Sequence, residues 1–174
     1  MPDPNIIPLK RKTLVRLLEN SVGSRLFNSL FVRLSNTGEV KDVLNDGEFS
    51  CAFYVTSLLA LLQLFDRTHT TVKTVREKLS EHTGWREVAG ALPEPGDVVF
   101  WERVLFPDGT ENDHVGFVLN EAEAVSTSYL EKQVVRHHLT FGVDPAGNPI
   151  RKIVAQYRSR EFEQEKQGST LSQG

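Results

Sequence analysis

A single cysteine, Cys51, stands among 174 residues, which excludes an internal disulfide and leaves one thiol for chemistry. Charge of one sign is equally scarce: 20 Lys and Arg against 23 Asp and Glu give a net charge of −3. No basic field is therefore on offer to nucleic acid, and there is no strongly acidic tail. No apolar run reaches the length that crosses a bilayer, and the first residues, MPDPNIIPLKRK, hold no apolar core of signal-peptide length. A cytoplasmic protein with no membrane contact is the expectation, though delivery by a dedicated secretion machine would leave the same trace. Paired cysteines, an HxxxH spacing and a carboxylate–histidine cluster are all missing, so neither metal nor other cofactor is expected. No internal repeat is visible, the length suits one domain, and a monomer is expected.

What the sequence does have is one dense apolar stretch, GEFSCAFYVTSLLALLQLF, from Gly47 to Phe65. A turn-forming cluster, Asn45-Asp46-Gly47, leads into it. Ala52, Phe53, Val55, Leu58, Leu59, Leu61, Leu62 and Leu64 cover every side of a helix rather than one stripe, which predicts a buried helix. Ser50 is the expected N-cap, placing Cys51 in the first turn. Unpaired backbone N–H groups and the helix dipole favour thiolate there, so a depressed thiol pKa is expected. Free cysteine also commonly just fills core space. On this stretch alone the plainer reading is the better one.

Around that helix, residues 1–8 hold three prolines and are expected to form an irregular arm. Apolar residues recur at helical spacing from Leu9 to about Arg33, with Ser21 and Gly23-Ser24 able to split them into two helices. Residues 30–44 alternatively make a short hairpin about Asn36-Thr37-Gly38. A second helix is predicted over 71–82, with Val72, Val75 and Leu79 on one stripe. After Gly84 the period changes to that of strands: 97–101, 114–119, 123–129, 133–140 and 150–157. Turn-rich pieces separate them: Pro107-Asp108-Gly109, Asn120-Glu121 and 144–149. Helices followed by strands on short connections define a single α+β domain over 9–158, its helical half packed on a small antiparallel sheet. The polar tail, 159–174, is expected to be disordered.

A thiol nucleophile needs a base, and the base needs a third group to fix its tautomer. His114 is the candidate base, since it opens a strand directly after the polar loop 109–113. His69 and His82 fall at helix boundaries, while His137 and His138 are adjacent on a strand, so only one of those two can face inward. Trp101 and Phe117 read as core, Gly96 and Gly116 as a turn and a close backbone approach, and Asp97 as a partner for backbone groups at its strand start.

The buried helix beginning at Cys51, GDVVFW at 96–101 and DHVGFVL at 113–119 together resemble the NlpC-type branch of the papain-like cysteine peptidases, over residues 45 to about 130. The resemblance implies a papain-like fold with Cys51 as nucleophile and His114 as base. It also implies amide hydrolysis through a thioester, on a peptide or amide partner such as a peptidoglycan fragment. The third residue in that family is usually His, Asn or Gln about a dozen positions after the base; the matching segment here holds Ser126, Thr127 and Ser128. A two-residue turn sets Thr127 opposite His114, whereas a three-residue turn sets Ser128 opposite with Ser126 on the same face. Ser126 comes first by family spacing, and Thr127 and Ser128 become substrate-contact candidates beside Ser50, Trp85 and Asp113. The family's D-C-S-G reads Ser50-Cys51-Ala52-Phe53 here, so its substrate preference does not transfer. An inactive peptide-binding relative and an acyltransferase using the same Cys–His pair are the competing readings.

Overall fold

A computed structural model describes residues 6–105, 109 and 111–171, with side chains as far as Glu165. The arm up to residue 5, most of the 107–110 turn and the last three residues of the tail lie outside the described residues. The structure is mixed α+β: four helices and a six-stranded antiparallel sheet, with a separate two-stranded hairpin, among the described residues. No helix among them is long and apolar enough to cross a membrane.

The N-terminal half forms as one helix and a hairpin. α1 spans Lys10–Ser21 and stops there, leaving Gly23 at a φ of 83°. The apolar residues after it do not make a second helix; β1 (Phe31–Arg33) and β2 (Val40–Asp42) pair instead, with Gly38 at a φ of 73° in the turn. The buried helix α2 runs Cys51–Leu61 and α3 runs Val72–Glu81. In α2, Ala52, Tyr54, Val55, Leu58 and Leu59 are buried, and only its last residue, Leu61, is largely exposed. Thr71 caps α3 by accepting from the Thr74 N–H.

The sheet is ordered β3-β8-β4-β5-β6-β7, from β3 (Trp85–Glu87), β4 (Val98–Leu105), β5 (Glu111–Val118), β6 (Glu123–Ser128), β7 (Gln133–His138) and β8 (Ile153–Ser159). Alternation sorts its side chains. Val98, Phe100, Val115, Phe117 and Val125 join the helices in the main core, whereas Val99, Trp101, Val118 and Ala124 build a smaller cluster with Leu139. β5 and β6 pair in the register of a three-residue turn, Phe117 opposite Val125 and Val118 opposite Ala124. Gly116 is a close-approach glycine: a Cβ there would meet Val125 O at 2.7 Å and the Trp101 ring at 3.0 Å. Gly96 takes a φ of 91°, where a side chain is strained.

The expected disordered tail is corrected in part. Residues Arg160–Leu171 form α4, because Phe162 inserts against Trp85 and its acidic residues find basic partners. Glu161 pairs with Lys10, Glu163 with Arg86, and Glu165 accepts from the Arg11 backbone N–H. β3 is a second addition, a three-residue edge strand paired with β8.

Candidate active site

The chain enters α2 through a strained turn that aims the start of the helix. Asn45, Asp46 and Gly47 have φ of 49°, 51° and 89°, conformations that Asn, Asp and Gly tolerate best. The Asp42 carboxylate holds this turn by accepting from the N–H groups of Leu30, Leu44 and Asp46. Ser50 sits at the cap position, but its Oγ donates to Gly47 O at 2.8 Å instead of accepting from the helix. The expected side-chain cap is therefore absent, since the tight turn offers Ser50 a nearer carbonyl.

Cys51 lines a cavity of about 770 Å³ together with His114, Ser126, Thr127, Ser128, Asp113 and His137. The backbone at Val115, Ala52 and Cys51 itself favours the thiolate form of the sulfur. β5 and β6 are laddered only at 117–118 and 124–125, so the start of β5 is not laddered to β6. Cys51 and His114 line the same cavity.

His114 stands in a row of hydrogen-bonded side chains whose protons can be assigned. His137 Nδ1 lies 2.8 Å from the carbonyl oxygen of His138, and a carbonyl only accepts, so Nδ1 carries the hydrogen. In the neutral ring Nε2 is then an acceptor, and Ser126 Oγ–H donates to it at 2.9 Å. Having spent its one hydrogen, Ser126 accepts from His114 Nε2–H, also at 2.9 Å. His114 Nδ1 is left as the bare nitrogen of its ring. Trp101 lies beneath both imidazoles, with centroids 5.4 Å from each, and its indole N–H donates to Leu139 O. Phe141 stacks on His137 at 4.2 Å.

This setting inverts the expected ionisation. Burial pushes the Cys51 thiol up, against the lowering effect of these backbone groups and of Arg151. Burial also takes His114 down to about 3, helped by the charges of Arg151 and His137, and it holds His137 below its usual range. The depressed thiol pKa is therefore corrected: the resting pair is a neutral thiol and a neutral imidazole. The helix N-terminus lowers a thiol pKa only where solvent or an ion pair carries the charge, and here desolvation is larger.

Two substrate-contact candidates fall elsewhere. Ser50 is buried beneath the turn, and Trp85 is a core residue whose indole N–H donates to Leu64 O. Asp113 lines the cavity but is gripped by Arg103 through two hydrogen bonds of 3.0 and 2.9 Å. Thr127 and Ser128 lie on the cavity wall. The sequence reading lacked His137 as a site residue; its signal was the doublet on β7, of which only one member faces inward. Arg151, in the bend before β8, was not signalled at all. No group of three or more His, Cys, Asp or Glu suited to a metal occurs among the described residues. Compared with known proteins, the sequence matches no family model and no curated protein.

Proposed function

We propose that the protein is a cysteine-dependent amide hydrolase of papain-like layout, with Cys51 as nucleophile, His114 as base and Ser126 as the group that orients it. The observation carrying this reading is the directed row His137–Ser126–His114, which leaves one bare imidazole nitrogen in the same cavity as the only thiol. A four-membered polar arrangement of this kind has little purpose in a module that only binds.

In the reaction the Cys51 thiol gives its proton to His114 Nδ1 as sulfur attacks the amide carbonyl carbon. The C–N bond breaks while Nδ1–H returns the proton to the leaving nitrogen, so an amine departs and a thioester remains. Water then attacks the thioester, giving its proton to the same nitrogen, and the thiolate takes that proton back as the acid leaves. Because both partners rest uncharged, proton transfer accompanies attack rather than preceding it. Peptides of the peptidoglycan type are the substrate class to try first, on the sequence resemblance alone.

The test is product release from a panel of stem-type peptides by the wild-type protein, Cys51→Ala and His114→Ala. Cleavage by wild type and none by either variant is the expected result. Full cleavage by His114→Ala would discard His114 as the base, and no cleavage of any panel peptide by the wild-type protein would count against the hydrolase reading.

A further inference from the structure

Of the charged residues on the cavity wall, only Arg151 is buried, and the proposed chemistry does not use it. Arg151 is 9% exposed, and its guanidinium bridges two backbone carbonyls, donating from Nε to Glu102 O at 2.8 Å and from Nη2 to Asn112 O at 2.9 Å. Phe141 lies under it, 5.4 Å from the guanidinium carbon. Two of three nitrogens therefore have fixed, uncharged partners that aim the fork. Nη1 donates to nothing among the described residues. Among the described residues the one buried side-chain nitrogen or oxygen without a partner is His69 Nε2, away from this cavity, so Arg151 Nη1 keeps contact with solvent.

No carboxylate among the described residues pairs with this cation. Those close enough to act on its charge, Glu102 and Asp113, are engaged elsewhere: Glu102 Oε1 accepts from Lys152 N, and Asp113 is held by Arg103. A buried guanidinium is ordinarily matched by an anion, because taking it out of water uncompensated costs several kcal/mol. The remaining carboxylates on the wall do not settle the balance against an anion. Glu48, Glu111 and Glu131 sit at the rim with partners of their own, where solvent and salt screen them, whereas Arg151 is screened little.

We infer that Arg151 is an anion-recognition residue, and that the cavity takes an acyl substrate bearing a carboxylate close to the scissile amide. This rests on the amide-hydrolase reading and names its substrate class. A chain-terminal carboxylate and an acidic side chain offer the same chemistry. Guanidinium is suited to either, since its planar fork matches a carboxylate where a point charge would not.

Two haloacetyl reagents test this without knowing the substrate. Iodoacetate and iodoacetamide alkylate the same sulfur, but only the first carries a carboxylate beside the reacting carbon. The ratio of their rates at Cys51, divided by the same ratio for glutathione, cancels the thiolate fraction. One charge-assisted hydrogen bond predicts a normalised ratio of about ten or more for the wild-type protein. Arg151→Gln should return it to about one, and Arg151→Lys should keep an intermediate value. Protection of Cys51 from iodoacetamide by N-acetylalanine points to a terminal carboxylate, and by N-acetylglutamic α-amide to a side chain; protection by neither counts against the site. A wild-type ratio near one, or a high ratio surviving in folded Arg151→Gln, overturns the inference. Should Arg151→Gln not fold, the wild-type ratio and the Lys variant decide. Peptide hydrolysis that needs His114 alongside a flat ratio would sink the anion site alone; a raised ratio with no hydrolysis of any panel peptide would count against the hydrolase and leave the anion site standing.

Discussion

Asp97 and Arg151 are both charged, both buried and both set against strand β4, yet their surroundings differ in kind. Asp97 accepts from the Glu94 N–H, from Gln156 and from two nitrogens of Arg158; Arg158 also binds Glu94, which in turn holds Arg11. Charge is answered by charge throughout that cluster, and its members tie α1, β4 and β8 together. Arg151 has only backbone carbonyls and an aromatic face, beside two imidazoles kept neutral and a thiol kept protonated. A polar cluster that satisfies itself stabilises a fold. One that leaves a charge, a bare nitrogen and a thiol facing one cavity is unfinished until something binds.

The sharpest way to break this contrast is to separate activity from stability. His114→Ala should lower amide cleavage by about two to four orders of magnitude, the usual worth of a positioned base, while the lost Ser126 bond and ring packing cost only about 1–3 kcal/mol of stability. Asp97→Ala should act on stability instead. It strands Arg158 without its main partner, and breaking a buried pair from one side costs about 3–5 kcal/mol. Arg151→Met removes only two bonds to carbonyls and should cost less, roughly 1–3 kcal/mol. Urea unfolding of the two variants side by side decides it. Equal losses would mean that Arg151 is a structural residue like Arg158.

Much of the framework was legible because its signals are local. The all-round apolar pattern of α2, the change of period after Gly84 and the 30–44 hairpin each lie within a few neighbouring residues. Counting across one short turn puts Ser126 only on the same face as His114, and its choice rests on the family resemblance; the three-residue register is the one that formed, with Ser126 bonded to His114. What escaped depends on distant contacts. β3 is too short for alternation to register, and α4 is polar apart from Phe162 and its last residue, Leu171; Phe162 packs on Trp85, far away in sequence. Arg151 looks like any basic residue at a turn until the fold brings it to the Cys51 cavity. The ionisation expectation failed for the same reason: a helix start is visible in sequence, but the depth of its burial is not.

The two clusters should also part on pH. His114 and His137 are held neutral in the folded protein, whereas in the unfolded chain they take protons near 6.5. Between pH 6.5 and about 3, unfolding therefore gains protons, and stability should fall as pH drops. The slope is at most about 1.4 kcal/mol per pH unit for each imidazole. Cys51, raised above 9.0, acts at the other end, so stability should fall again as pH rises through that range. His114→Gln should flatten the acid limb in urea titrations from pH 7 to 4. An unchanged limb would mean that His114 charges freely in the folded state.

Ser126→Ala gives the smallest effect and the most informative one. The hydroxyl donates to His137 and accepts from His114, so its loss leaves His114 Nε2–H without the acceptor that fixes it as the protonated nitrogen. The ring can then place its hydrogen on Nδ1 in part of the population, and that fraction has no base toward Cys51. Ser126 carries no charge, so it fixes the tautomer without stabilising the imidazolium much; about tenfold in rate, one ordinary hydrogen bond, is the scale to expect. That is far below the roughly four orders lost when a charged orienting group is replaced in a serine protease. A merely structural role would lower activity through stability, so the decisive comparison is with His137→Gln. An amide oriented by His138 O can still accept from Ser126, and should retain more activity than His137→Leu, which leaves Ser126 free to turn its hydrogen toward His114. If the Gln and Leu variants are equally active and Ser126→Ala matches wild type, the row is a packing feature. His114 is then oriented by the rings of Trp101 and Phe141 alone.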